Sequence, residues 1–433
     1  MSALLDSLQS SFDAMPGTAV DLLGLGDLRR AAMRAAIRDG LPTQRNERWK
    51  YTGLRALSAR RFVATAASPV LHPAALDDIP SPRLVFVNGI FDASLSTLQD
   101  LPEGTMLSPL SAASGLPGQE LQRIFSRTFE ASDEAFAKVN VALATDGAVL
   151  LIDAQVRIEA PLHLVFVGAP ASDDIASHLR HAIVLGEGSS MTLVEHHVCV
   201  GSHRHLASHL LDVRLGDAAV LVHARIQDED TGATLISRTD ARVNTDATYR
   251  RLDLDMGGAL SRLEMNILLA GDRARLISGG ALLAGGRRHS DTRLAIVHDA
   301  RDTQCDLLWR GLAADRARVA FFGGITIQAG ADGSDARLSN KNLLLSEGAE
   351  IDTQPVLRIH ADEVKAAHGA TVGRLDAASL FYLRSRGIPA AQARALLTQA
   401  FCREALASIG DLALVEMLSP RLEARLATLE ASS

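Results

Sequence analysis

Asp272-Arg-Ala-Arg-Leu276 and Asp315-Arg-Ala-Arg-Val319 share one pattern: a polar turn residue, any residue, a small one, any residue, then an apolar one. The pattern returns at Glu187-Gly-Ser-Ser-Met191, Asp217-Ala-Ala-Val-Leu221, Glu347-Gly-Ala-Glu-Ile351 and His368-Gly-Ala-Thr-Val372, with Asp246-Ala-Thr-Tyr-Arg250 a near miss. The spacing is irregular, roughly 20 to 45 residues, so these are strand starts rather than copies of one coil. A small residue lets the backbone turn a corner. The apolar residue then opens a strand facing a core on which the next coil stacks. Such a texture, running from Gly147 to Asp376 with Gly and Asp punctuating short apolar runs, predicts a mainly β protein with a parallel β-helix core over 146–375. An antiparallel sandwich is the rival, because alternation alone does not separate the two. Recurrent small corners and scarce aromatic anchors favour the helix.

Composition agrees with thin stacked strands. Of 433 residues 47% are hydrophobic but only 4% aromatic, so the core is aliphatic. A net charge of −7 offers no basic excess for phosphates and argues against nucleic acid as a main partner. No apolar run is long enough for a bilayer, which argues against a membrane. The opening stretch, Met1 to Met15, lacks the charged and apolar regions of a signal peptide. Cys199, Cys305 and Cys402 are odd in number and widely spaced, which fits a reducing cytoplasm rather than a disulfide framework.

The flanks read differently. Residues 1–145 form an N-terminal helical and mixed α/β region, with a helix over Asp27–Arg38 and a hairpin at 84–91 turned by Asn88-Gly89. Residues 376–433 form a C-terminal helical region. Asp376 caps a helix that Gly387 ends, Pro389 opens a second ended by Gly410, and Leu414–Leu426 gives a third interrupted by Pro420.

Candidate chemistry is sparse. His196, His197, Cys199, His203, His205 and His209 are potential Zn or Fe ligands, but no pair has the spacing of a known site, and the plain reading is two solvent-exposed strand faces around a Gly-Ser turn. Strand parity puts Glu195, His197 and Cys199 on one face and His196 on the other. Arg287 to Asp291, with His298, reads as a charged loop between strands. P-loop, nucleophile-elbow and dinucleotide motifs are missing, so neither ATP hydrolysis nor acyl transfer is expected. A β-helix polysaccharide-active enzyme and a homo-oligomeric structural protein are the alternatives. His368 either occupies a turn where other repeats carry Asp or Glu, or shares one face of an unbroken strand with Val364, Ala366, Ala370 and Val372. Half-buried in either case, its removal is expected to cost about 1–2 kcal/mol.

HADEVKAAHGATVGRLDAASLFYLRSRGI, residues 360–388, resembles the signature of the SufB/SufD family of iron–sulfur cluster assembly proteins. Glu47-Arg-Trp-Lys-Tyr-Thr52, the hairpin and Asn342-Leu-Leu-Leu-Ser-Glu-Gly348 agree, so the likeness runs from about Trp49 to Phe401. Within the family the SufD branch is nearer. SufB-type chains carry a cysteine where Asn340 stands, and H-E-A-T where this chain has His368-Gly369-Ala370-Thr371. The resemblance implies a right-handed parallel β-helix and a non-enzymatic scaffold. It also implies a complex with a SufB-like paralogue and a SufC-like ABC ATPase, in which a transient iron–sulfur cluster forms.

In that reading His368 is a candidate cluster ligand at the SufB seam, beside Gly369, Thr371 and Val372 on the pairing strand. Phe381, Tyr382, Arg384 and Arg386 lie where the ATPase docks. No tightly held cluster is expected in the isolated chain. A homodimer is an option when the chain is alone, and flavin binding by the complex stays open.

Overall fold

The protein is described from a computed structural model covering residues 2–99, 101–112 and 118–431. Along the chain come α1 (Ala3–Asp13), α2 (Gly17–Val20), α3 (Gly26–Asp39), α4 (Arg55–Ser58), β1 (Val63–Ala64), β2 (Arg83–Val87), β3 (Ile90–Phe91), β4 (Thr105–Pro109), α5 (Gly118–Phe125) and α6 (Ala135–Leu143). The next run is β5 (Ala148–Ile152), β6 (Leu162–Gly168), β7 (Ile175–Leu185), β8 (Ser190–Cys199), β9 (Leu206–Leu215), β10 (Val220–Asp228), β11 (Thr234–Val243) and β12 (Thr248–Asp255). It continues as β13 (Leu260–Leu269), β14 (Arg275–Ala284), β15 (His289–His298), β16 (Gln304–Ala313), β17 (Arg318–Ile327), β18 (Asp335–Leu344), β19 (Glu350–Ile359) and β20 (Lys365–Gly373). Three helices close the chain: α7 (Ala377–Ser385), α8 (Ala390–Ala407) and α9 (Leu412–Ala431).

From β5 onward the strands alternate between two sheets, and each pairs in parallel with the strand two places on. This is the expected parallel β-solenoid, not a sandwich. Its corners explain the repeat. Asp217-Ala218-Ala219 puts Ala218 in the left-handed region at φ 56° and buries Ala219 completely, and Arg273 with Ala274 does the same. The near miss at Asp246 is a full corner read one residue early. Thr245 is the polar turn residue, Asp246 the left-handed one at φ 57°, Ala247 the buried small one and Tyr249 the apolar one. Ser190, Val220, Thr248, Arg275, Gln304, Asp335 and Lys365 open successive strands of one sheet, 27 to 31 residues apart. The irregular spacing has two causes: the matching corners feed both sheets, and His368–Val372 matches the pattern from within β20.

Inside, Leu193, Leu221, Leu276, Leu307, Phe321 and Ile325 belong to one mainly aliphatic core that runs the length of the lumen. Outside, each sheet is covered. Cys402, Leu406, Leu414, Leu418 and Leu422 of α8 and α9 pack on Val194, Ala224, Leu252 and Leu312. Leu4, Leu8, Met33, Trp49 and Phe136 pack on Ala176, Leu206 and Ile236 of the other sheet. Pro420 lies inside a continuous α9 rather than breaking it.

That double covering corrects the reading of the histidines. His196, His197 and His209 are buried because neither face of their strands meets solvent, and His203 and His205, in the connection between β8 and β9, are buried against Glu229 and the Ala169 carbonyl. Parity holds: His197 stacks against Phe166 in the lumen, whereas His196 faces outward within 3.5 Å of Arg421 on α9. The lumen polar groups pair with one another. Glu195 accepts from His223 at 2.6 Å, His223 meets the Tyr249 hydroxyl at 2.9 Å, and Arg251 grips Asp253 through two bonds of 2.9 and 2.8 Å. Among the described residues, no group of three or more His, Cys, Asp or Glu is arranged to hold a metal.

Burial pushes the imidazoles of His163, His178, His181 and His197 down to about 4, so they are neutral at pH 7. Unfolded, each would titrate near 6.5, so between about pH 6.5 and 4 the unfolded chain binds more protons and stability falls as pH falls. The melting midpoint should therefore be flat above about pH 7 and drop steadily below 6.5. His178 is partly exposed as a residue, yet both its ring nitrogens are buried without partners. His178→Leu should gain about 1–2 kcal/mol more over the wild type at pH 5 than at pH 8 in paired denaturant titrations, on top of a pH-independent gain from removing two unpartnered buried nitrogens. An equal gain at both pH values would show that this ring does not contribute to the slope.

Candidate functional site

The two ends of the solenoid differ. At the first end each sheet is closed by an antiparallel strand, β3 on β2 and β4 on β5. Leu110, Leu121, Ile124 and Phe125 pack there on Val149 and Ala182. At the other end β19 pairs only with β17 and β20 only with β18. Two parallel edges therefore finish side by side with one row of backbone donors and acceptors apiece unpaired within the chain. Ile351, Leu357, Val364 and Ala366 continue the lumen core but are only partly buried.

His368 sits in this last turn. It is mid-strand in β20, opposite Leu338, so the unbroken-strand alternative holds and the corner alternative does not. The register continues one inward column: Leu193, His223, Arg251, Ser278, Leu307, Leu338, then His368. Every earlier member has a further turn stacked over it. His368 has none, so its imidazole is exposed rather than half-buried. Gly369, Thr371 and Val372 lie on the same edge, with Val372 42% exposed, and a Cβ added at Gly369 would meet nothing within 4 Å.

Behind the edge lies a polar shelf. Asn340 is fully buried, opposite Ala370, and its Oδ1 accepts from Asn342 and from the Thr353 hydroxyl, each at 2.7 Å. Asn342 also donates to the Thr371 carbonyl at 3.1 Å, tying β20 to the turn beneath. Asn340 was singled out from the sequence. Asn342 entered only as the first residue of the matching stretch to Gly348 and Thr353 not at all, because nothing local marks two residues brought together from different sheets.

Next to this end, α7 is set off by its signals. Asp376 caps it by accepting from the Ala378 and Ser379 amides at 3.3 and 2.8 Å, and Gly387 at φ 83° stops it. It buries none of its residues. Phe381 is 72% and Tyr382 57% exposed, Arg384 and Arg386 are exposed, and the Arg386 guanidinium lies 5.2 Å from the Tyr382 ring centre. Two bare aromatics beside two arginines have the composition of an interface anchor.

The thiols are poor ligands by comparison. Burial, then Glu229, Asp230 and Asp228, push Cys199 up to about 11. Burial pushes Cys305 up to about 12, where it lies 3.3 Å from His298 Nε2, and Cys402 of α8 is buried in the cluster that α8 and α9 form on the solenoid. No helix among the described residues is long and apolar enough to cross a membrane.

Comparison with known proteins gives matches along most of the chain. Residues 167–401 match the family model described as SUF system FeS cluster assembly, SufBD core domain, and residues 20–164 match the SufBD protein N-terminal region. The chain is 30% identical over 400 residues, 91% of each chain, to the iron-sulfur cluster assembly protein SufD of Escherichia coli. It is 27% identical to the SufD protein of Bacillus subtilis, covering 71% of each chain, and 24% identical to the chloroplastic protein ABCI7 of Arabidopsis thaliana, covering 93% of this chain and 86% of that one. With its solenoid, its helical flanks and matches over nearly its whole length, the chain belongs to the SufBD family of iron–sulfur cluster assembly proteins.

Proposed function

We propose that the chain is a non-catalytic scaffold subunit that works with a SufB-like paralogue and a SufC-like ABC ATPase in the cytoplasm, where a transient iron–sulfur cluster is built at the subunit seam. The observation that carries this reading is the open end itself. Two parallel edges and an uncovered lumen core call for a partner of the same cross-section, which would pair with β19 and β20 and extend the core. Gly369, Thr371 and Val372 would lie along that seam, and His368 would present its imidazole to it. In the absence of the paralogue, the same edges suit a second copy of this chain.

One imidazole is one ligand, whereas a cluster is commonly held by four, mostly thiolates. The chain's own thiols are held protonated or buried, so the cluster is cargo shared with the partner, not a resident group. Phe381, Tyr382, Arg384 and Arg386 supply the ATPase contact. Deleting the chain after Asp376 would be a poor test of that contact, because α8 and α9 cover the Val194–Leu312 face and their loss would uncover it. Point substitutions on α7 avoid the problem. Phe381→Ala with Tyr382→Ala should leave the melting midpoint unchanged and lower recovery of the ATPase on the tagged chain at least tenfold, as expected for paired aromatic anchors. Full recovery would move the contact off α7.

His368→Ala should cost less than about 0.5 kcal/mol, the usual scale for an exposed side chain, which replaces the 1–2 kcal/mol expected from the sequence. Leu338→Ala, one turn inward in the same column and 4% exposed, should cost about 2–5 kcal/mol. In a strain dependent on this pathway, His368→Ala should fail to complement although the complex still forms on gel filtration. His360→Ala, just beyond β19 and exposed, should complement. Complementation by His368→Ala would remove it from the seam chemistry.

A further inference from the structure

We infer that Glu47–Thr52 is a strap that holds the β19 edge in the shape a partner strand needs, with Glu47 and Tyr51 acting through Gln354. The inference rests on the proposed pairing at the open end and names positioning residues that lie some three hundred positions away in the chain.

The strap is fixed two to three turns inward from the edge, on β15 and β13. Trp49 is 2% exposed, its indole N–H donates to the Asp133 carbonyl at 2.9 Å, and the Arg262 guanidinium of β13 lies 3.8 Å from its ring centre. Arg262 also donates to the Arg48 carbonyl at 2.7 Å. Thr52 meets His289 of β15 at 2.8 Å and donates to Asp291. From that anchorage two side chains reach outward to the last turn. The Tyr51 hydroxyl donates to Gln354 Oε1 at 3.3 Å, and Gln354 Nε2 donates to Glu47 Oε1 at 3.2 Å. The amide of Gln354 is therefore engaged at both ends, in the middle of a strand whose backbone has a partner on one side only.

An edge strand opens more readily than an inner one, because half of its ladder is missing. It also carries Pro355, which removes one backbone donor next to Gln354. The strap supplies a second attachment across the outer face. It leaves the unpaired row of β19 free for an incoming strand and fixes that row in position before the strand arrives. Pre-ordering of this kind lowers the cost of association. Among the described residues β20 has no such attachment to the N-terminal region, and it serves as the internal control.

The test uses the full chain. Tyr51→Phe and Glu47→Ala should each speed hydrogen–deuterium exchange across residues 350–359 by roughly three- to tenfold, the scale of one lost hydrogen bond, without changing residues 365–373. Glu47→Gln keeps an oxygen acceptor and should restore wild-type exchange. The affinity of Tyr51→Phe for the purified SufB-like subunit should weaken by a similar factor, with the melting midpoint unchanged. Unchanged exchange at 350–359, or faster exchange with unchanged affinity, overturns the inference. A wild-type chain that binds no such subunit overturns the proposed function instead, and the exchange result still decides whether the strap orders β19.

Discussion

A parallel strand satisfies its backbone only when it lies between two others, and this one constraint organises the molecule. Within the solenoid each strand from β7 to β18 has neighbours on both sides. The first end meets the requirement internally with β3 and β4, which run antiparallel and turn the sheets back on themselves. The last end does not meet it at all. β19 and β20 stop with their outer rows unpaired, and the features with interface character gather beside them: exposed His368, exposed Val372 and Ile359, and a helix with nothing buried. An uncovered edge of this kind is an aggregation hazard unless something covers it. Pro355 and the glycines at 369 and 373 blunt it, but they do not close it.

The constraint on the faces is as strict as that on the edges. A two-sheeted solenoid has an inner core, yet its outer faces here also carry apolar residues, and the terminal regions cover them. The C-terminal helices bury one, with Leu414, Leu418 and Leu422 fully or almost fully enclosed. The N-terminal region covers the other with Leu4, Met33 and Trp49, and keys itself there with charge. Glu134 accepts from Arg238 at 2.7 Å and from Arg48 at 3.2 Å, and Arg262 donates to Glu264 at 2.6 Å. Glu264 is held down to about 2: burial works against its charge, and Arg262, Arg238 and Arg48 together outweigh burial. Buried ions are expensive, so such a network is better read as fixing where the N-terminal region sits than as a large source of stability.

Much of this was legible in the sequence wherever the relevant geometry is local. Corners need a left-handed residue and a buried small one within five positions, so Asp217–Leu221 and Asp272–Leu276 announced themselves, and Asp376, Gly387 and Gly410 marked helix ends in the same way. Register over longer distances was not legible. His368-Gly-Ala-Thr-Val372 fits the corner pattern by accident of small residues, and only the pairing of His368 with Leu338 shows that it is mid-strand. The plain reading of the histidines as two solvent-exposed strand faces fails on both faces, since His197 faces the lumen and His196 meets Arg421 of α9. Helices far along the chain cover the outer face, and no window around His196 contains them. Gln354 drew no attention either, since both residues that grip it come from the other end of the chain.

The same stacking that buries the lumen polar groups also sorts the titratable residues by use. Within the column that ends at His368, His223 is locked between Glu195, Tyr249 and Arg251, and burial, then Arg251, disfavours its charged form. Its ring is chemically equivalent to that of His368 but has no route to a partner. Cys305 and His298 likewise sit 3.3 Å apart in the interior, where burial keeps the thiol protonated. A side chain in this fold becomes available for shared chemistry only where stacking stops. His368 is such a residue because the chain turns into α7 after β20 and no further strand covers it. Adding one more turn would complete the core and bury the imidazole, giving a more stable protein with nothing to offer at the seam.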